Sequence, residues 1–249
     1  MEGITAFSFW ELITAVLTAL SLLMAVAAFF INERRRIAID AAMRGAPGRR
    51  RLGMFDLAHG DVSANLSQRH LTVPERLWTY DNFYLDRFAK AASAVRLPDQ
   101  RTALATYVGP TLGWDIVFAA GLGLFIAFLE FGAATVLLPY PLLSGFLSFC
   151  AAMGVVYGAA DIAEDLKLAS ILKDWESAQE REKPKKIHID GGEAAAANAL
   201  TRIKIVAITL SVVGILVFVV LSGIGAVVYG RPHGPTSASH QGDLPTATG

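Results

Sequence analysis

Four stretches of this chain stay apolar for about as long as a lipid bilayer is thick. They run from about Phe9 to Ile31, Ile116 to Leu138, Leu142 to Ala160 and Ile205 to Tyr229. A helix needs about 20 such residues to cross a hydrocarbon core of about 30 Å. The runs are unbroken rather than alternating, which favours helices over barrel strands. The pattern predicts an all-α fold: a polytopic membrane protein with four transmembrane helices in a bundle and cytoplasmic amphipathic helices. No Lys or Arg precedes Phe9, and Arg34-Arg35-Arg36 follows the first run, so that run is read as a retained anchor, not a cleaved leader.

The polar segments between the runs divide the chain further. The first helix is expected to continue past the arginines to Met43, so that residues 1–44 form one unit. Residues 45–71 are Gly-, Arg- and Ser-containing with no period and read as a flexible linker. Thr72-Val73-Pro74-Glu75 has the form of a capping box. It predicts a helix to about Val95, with Leu77, Tyr80 or Asp81, Tyr84, Phe88, Ala91 and Val95 on one face and Trp78, Phe83 and Leu85 widening it. That helix suits the membrane interface, the inner face of the bundle or a partner protein. A second short helix, Asp99 to Val108, completes the 72–109 segment. In the 110–229 segment, Pro139-Tyr140-Pro141 makes spans two and three a hairpin. Span three is expected to continue inward from Asp161 to about Glu182, and Ala194 to Arg202 to lead into span four. Residues 230–249 are rich in Pro, Gly, Ser and Thr and read as a disordered tail.

Charge orients this arrangement. Of 22 Lys and Arg, 13 lie between spans one and two and 8 between Asp161 and Lys204, leaving Arg231 alone on the other side. Positive charge marks the cytoplasmic side, which predicts both termini outside. The surplus of Arg over Lys and the many Ala suggest a bacterial chain, hence an inner (plasma) membrane. A net charge of zero does not favour nucleic acid as a partner. The partners expected are the lipid bilayer and either another membrane protein or a second copy of the chain. The single cysteine, Cys150, forms no internal disulfide. His59, His70, His188, His233 and His240 all lie outside the apolar runs, which argues against a haem held within the membrane. No cofactor is predicted.

Three features bear on chemistry. The first is an inner charged layer: Asp115 at the start of span two, Asp161, Glu164 and Asp165 at the end of span three, and Arg202 and Lys204 before span four, level with Arg34 to Arg36. Asp161 and Asp165 share a helical face. Such a layer is either a girdle of ion pairs or, through Asp115, Asp161 and Asp165, a divalent-metal site. An Asp-x-x-x-Asp pair also occurs on a membrane helix of enzymes that transfer CDP-alcohol headgroups, but they have Gly where this chain has Tyr157, and their upstream half-motif is absent here. The second feature is Glu130, inside span two with no basic residue at its level. It is either a hydrogen-bonded helix contact to Thr135, Ser144, Ser148 or Tyr140, or a relay for protons or cations. Glu11, at the outer edge of span one, reads as interfacial. The third is the Gly154-x-x-x-Gly158 motif, matched by Ala119 and Gly123 on span two and by Gly223 and Gly225 on span four, which suits close helix packing, within one chain or between chains.

The run Tyr107-x-x-Pro110-x-x-x-x-Asp115, the string Asp161-x-x-Glu164-Asp165-x-x-Leu168, and Lys204 ahead of the last span resemble uncharacterised bacterial four-helix integral membrane proteins of unknown function. The resemblance covers roughly residues 75 to 225. It implies a compact four-helix bundle with a role for the inner charged layer, and no particular activity. With no Walker loop, dinucleotide fingerprint, zinc-protease motif or nucleophile elbow, the expected function is that of a non-enzymatic accessory subunit or scaffold presenting a cytoplasmic helical face. The alternatives are a small oligomeric, proton-linked transporter using Glu130, and a metal-dependent lipid-modifying enzyme using the three aspartates.

Overall fold

Three of the apolar runs extend into much longer helices than a bilayer requires. In the computed structural model, α1 spans Phe9–Met43, α5 spans Pro141–Arg181 and α6 spans Gly191–Tyr229. At 1.5 Å per residue, the 41 residues of α5 reach about 60 Å, twice the hydrocarbon thickness. The remaining long helix, α4, runs Leu112–Val136. Residues 9–43, 72–74, 77, 79–181 and 188–229 are described; the expected linker at 45–71 and tail at 230–249 lie outside them, as do Glu75, Arg76 and Trp78. Among the described residues there is no strand, and four helices are long and apolar enough to cross a membrane.

The helices pack as a series. α1 lies on α4, α4 on α5 and α5 on α6. Accordingly a third of the most apolar stretch is buried in each central helix, against 17% in α1 and in α6. Glycines on two faces of α4 make this possible. Gly121 and Gly123 are two residues apart, about 200° around a helix, so they face opposite neighbours. A Cβ on Gly121 would lie 2.8 Å from the backbone nitrogen of Ala25 on α1, and one on Gly123 would lie 2.9 Å from the carbonyl of Gly154 on α5. Gly158 rests in turn on the carbonyl of Ala119, at 3.1 Å from its would-be Cβ. The glycine motif of span three is therefore used within the chain.

The largest apolar core lies beyond the spans, where the C-terminal ends of α1 and α5 meet the N-terminal ends of α4 and α6. This head buries Ile39 of α1, Tyr84, Leu85 and Phe88 of α2 (Asn82–Ala94), Leu168, Leu172 and Trp175 of α5, and Ala194 and Ala197 of α6. The amphipathic helix α2 thus docks on the extended helices. Its buried stripe centres on Tyr84, Leu85, Phe88, Ala89 and Ala92, and Phe83 is left 69% exposed. Asp86, nearly buried, ties α2 to the rest: it accepts from the Trp175 indole at 3.1 Å and from Lys90 at 2.9 Å, and lies 3.3 Å from His188 Nδ1.

Two expected helix starts are corrected. The helix expected to open at the Thr72 box begins at Asn82, where the Asp81 carboxylate accepts from the Tyr84 N–H at 2.7 Å. Thr72 is engaged elsewhere: its hydroxyl and the Val73 N–H both bond to Asp40 of α1, at 3.1 and 3.2 Å. We expect Asp81→Ala to cost about 1 kcal/mol of stability, the usual loss for an N-cap; a thermal melt in detergent that matches the unsubstituted protein would show that α2 does not rely on this cap.

Nor does the second helix start at Asp99. Leu97 to Gln100 form a turn with Pro98 at its second position, closed by Gln100 N–H to Leu97 O at 2.9 Å. Gln100 follows at φ 68°, and Arg96 bridges Thr102, the geometry of a three-residue hairpin. Helix α3, Ala103–Thr106, then starts on a Thr102 cap. It enters α4 through a π turn, Tyr107–Thr111. Pro110 has no N–H to donate there, and the Thr111 hydroxyl compensates by bonding Thr106 O at 3.0 Å. Such single-turn widenings mark places where a regular helix is interrupted for a purpose. Here the Pro110 carbonyl accepts from Arg35 at 3.2 Å.

Candidate functional site: a buried charged layer and a solitary carboxyl

Where the spans meet the head, polar side chains from each long helix converge. From α1 come Asn32 and Arg36, four apart and so on one face. Asn32 donates to Asp115 Oδ1 of α4 at 3.1 Å, and the Arg36 guanidinium bonds Oδ2 of the same carboxylate. Asp115 is 3% exposed. Across α4, the i,i+4 pair Tyr157 and Asp161 on α5 is joined by a hydroxyl-to-carboxylate bond of 3.1 Å. Asp161 also accepts from Lys204 of α6 at 2.7 Å. The same ammonium lies 2.6 Å from Glu164 Oε2. The other Glu164 oxygen accepts from Thr201 at 2.6 Å and from Tyr80 at 2.9 Å. Asp165 is fully buried beside them.

Of the six residues the sequence placed in this layer, Asp115, Asp161, Glu164, Asp165 and Lys204 are brought together. Arg202 is not: it is exposed on the outward side of α6. It lies two positions before Lys204, and a helix turns about 200° over that interval, so both cannot face inward. Asn32, Thr201 and Tyr80 complete the layer and were not foreseen. Asn32 had a signal, as an amide directly after an apolar run and four residues before Arg36; Thr201 likewise sits three before Lys204. Tyr80 had none, because its reach to Glu164 depends on how α2 docks.

Asp115, Asp161 and Glu164 are thus held by the chain's own cations and donors. Lys204 Nζ stands between Asp161 and Glu164, the place a bridging metal ion would take. Among the described residues no group of three or more His, Cys, Asp or Glu is placed to hold a metal.

Glu130 behaves differently. It is 1% exposed on α4, and neither carboxyl oxygen has a hydrogen-bond partner among the described residues. The partners expected for it are committed elsewhere: Thr135 donates to Gly132 O, Ser144 to Ala134 O across the hairpin, and Ser148 to Ser144 O, while Tyr140 is 64% exposed. Glu130 turns instead toward α6. A Cβ on Gly214 would come within 2.7 Å of Glu130 Oε1 and 2.8 Å of Cys150 Sγ on α5. One helical turn from Gly214, Ser211 donates to the Cys150 carbonyl at 3.1 Å. Glu11 lies exposed in the first turn of α1.

No protein-family model, curated protein or solved structure matches the chain.

Proposed function

We propose that this chain is a non-enzymatic membrane protein, an accessory subunit or scaffold whose four spans carry a rigid helical head into the cytoplasm of a bacterial cell, with both ends of the chain outside. The observation that carries the reading is the closure of the charged layer: Lys204 lies 2.7 and 2.6 Å from Asp161 and Glu164, while Arg36 and Asn32 hold Asp115. Carboxylates paired in this way position helices; they are not open to a substrate. The head adds a second support. Because α1, α5 and α6 run unbroken from the spans into it, its surface is fixed relative to the membrane, as a docking platform requires. The side assignment rests on the 21 Lys and Arg carried on the head side of the four spans.

The test is native mass spectrometry of tagged protein extracted in mild detergent from its own membranes. A second polypeptide in fixed stoichiometry is the expected result. A bare chain or homo-oligomer carrying a stoichiometric divalent metal would overturn the reading in favour of the metal-dependent enzyme.

A further inference from the structure

Asp115, Asp161 and Glu164 are each answered by an opposite charge, but among the described residues Glu130 is not. It sits in the apolar length of α4, where the four spans contain no Lys, Arg or His at all. Among the described residues, no helix packed near it brings a cation to face it. α5 contributes the Cys150 thiol; α6 contributes Gly214 and the Ser211 hydroxyl, which is already bonded to the Cys150 carbonyl. α1 lies on α4 as well, and its only acid at this end, Glu11, is exposed. An ionised carboxylate placed there would have neither water nor a counter-charge, a condition costing several kcal/mol. The neutral, protonated carboxyl is the form that fits the closed packing.

The packing also shows which helix closes the site. Gly214 is the point at which α6 approaches both Glu130 and Cys150, with no room for even one methyl group. α6 has one packed neighbour of any extent among the spans, α5, and only slight contact with α4. Of the three helices that enclose Glu130, it is the one with a single extensive neighbour among the spans, so a small displacement of its Gly214 stretch, with the Lys204 end still held, is what would uncover the carboxyl.

We propose that the junction of α4, α5 and α6 at Glu130 is a proton-binding site, occupied when α6 is seated at Gly214 and emptied when α6 withdraws and water reaches the carboxyl. The ligand is the proton: on opening, the O–H bond of the Glu130 carboxyl breaks, water entering the junction accepts the proton, and the electron pair stays on the carboxylate. This goes beyond the scaffold reading and does not depend on it, since it uses no residue of the head. It makes the four-span unit responsive to pH.

Two native reporters read the site. Dicyclohexylcarbodiimide, a membrane-soluble reagent, adds to protonated carboxyls in apolar surroundings. Cys150 is the only cysteine and is buried at the junction. With the full chain in its own membranes, the carbodiimide should modify Glu130 ahead of every other carboxyl, as mapped by peptide mass spectrometry, and the yield should fall as pH rises. N-ethylmaleimide labelling of Cys150 should rise over the same pH interval in the unsubstituted protein, by about tenfold per pH unit beyond the ordinary increase in thiolate. Glu130→Gln, isosteric with the protonated acid, should keep the junction shut and show only the thiolate increase. Identical maleimide profiles for the two proteins would overturn the proposal. So would carbodiimide modification of Glu130 that is no greater than that of exposed carboxylates. Protection of Glu130 by sodium but not choline chloride would overturn the assignment of the proton and give the site to a monovalent cation. If Glu130→Gln does not accumulate, the carbodiimide profile of the unsubstituted protein decides alone.

Discussion

Lys204→Met is expected to be the most damaging single substitution in the charged layer, costing about 3–5 kcal/mol, the range for removing one partner of a buried ion pair. The reason lies in what remains. Asp161 and Glu164, 5% and 0% exposed, would keep Tyr157, Tyr80 and Thr201 as donors but lose the positive charge between them. Two like charges would then face each other in a poorly solvated site. Domains of ordinary stability hold about 5–15 kcal/mol in reserve, so the single variant should melt far below the unsubstituted protein and accumulate poorly. The loss is one of charge balance rather than of shape. The triple variant Lys204→Met, Asp161→Asn, Glu164→Gln should therefore recover most of the stability, because neutral groups of similar volume need no counter-charge. Heating in detergent followed by size-exclusion chromatography measures both. If the single variant elutes and melts like the unsubstituted protein, the ion layer does not hold α5 to α6.

The second large effect is expected from Gly123→Val. At this position a Cβ would stand 2.9 Å from Gly154 O, 3.0 Å from Gly158 Cα and 3.2 Å from Gly158 N. All three are backbone atoms, so no side chain can turn aside to make room. α4 would have to move off α5, and the central packing surface of the spans would open along its length. Overpacking a core commonly costs about 1–3 kcal/mol; two branched methyl groups against a rigid helix should reach or exceed the upper end. A matched control is available in the same helix: Gly113→Ala, where nothing lies within 4 Å of the added carbon, should be neutral or stabilising by up to about 1 kcal/mol through helix propensity. A melt of Gly123→Val equal to that of Gly113→Ala would mean that α4 and α5 do not meet at this surface.

Neither expectation could have been assigned its magnitude from the chain alone, and the reasons differ. The glycine spacing of span three and the matching Ala119 and Gly123 were visible as a pattern, since residues four apart share a face. That Gly121 serves α1 while Gly123 serves α5 was not visible, because a pattern of small residues does not say which neighbour approaches. Gly214 carried no signal at all: its role comes from the position of Glu130 on another helix. For the same reason the sequence placed Glu130 inside a span but offered it partners from nearby in the chain. Thr135 and Ser148 use their hydroxyls on their own helix and Ser144 uses its on the far end of α4, the habit of hydroxyls in apolar helices.

The head shows the division most plainly. Thr72-x-x-Glu75 satisfies a local rule for a helix start, yet Asp81 performs that task nine residues later. Asp40 at the end of α1 recruits Thr72 and Val73, a long-range bond that outcompetes a cap of about 1 kcal/mol. The helix expected from Asp99 likewise gives way to a turn, closed by the Gln100 N–H on Leu97 O, and begins only at Ala103. By contrast, the long inward runs of α1 and α5 followed from periodicity without any break, and the described ends of both helices, Met43 and Arg181, fall within a residue of the expectation.

What the sequence determined by itself was the number of apolar helices, their approximate bounds and the set of charges at their head end, because length, hydropathy and helical spacing are properties of adjacent residues. What only the tertiary structure decided was which charge meets which, that Arg202 faces outward while Lys204 turns inward to Asp161 and Glu164, and that Glu130 stands between α4, α5 and α6 without a hydrogen-bond partner among the described residues. Those depend on the rotation of each helix about its own axis, which is set by close packing against its neighbours at glycines 121, 123, 154, 158 and 214.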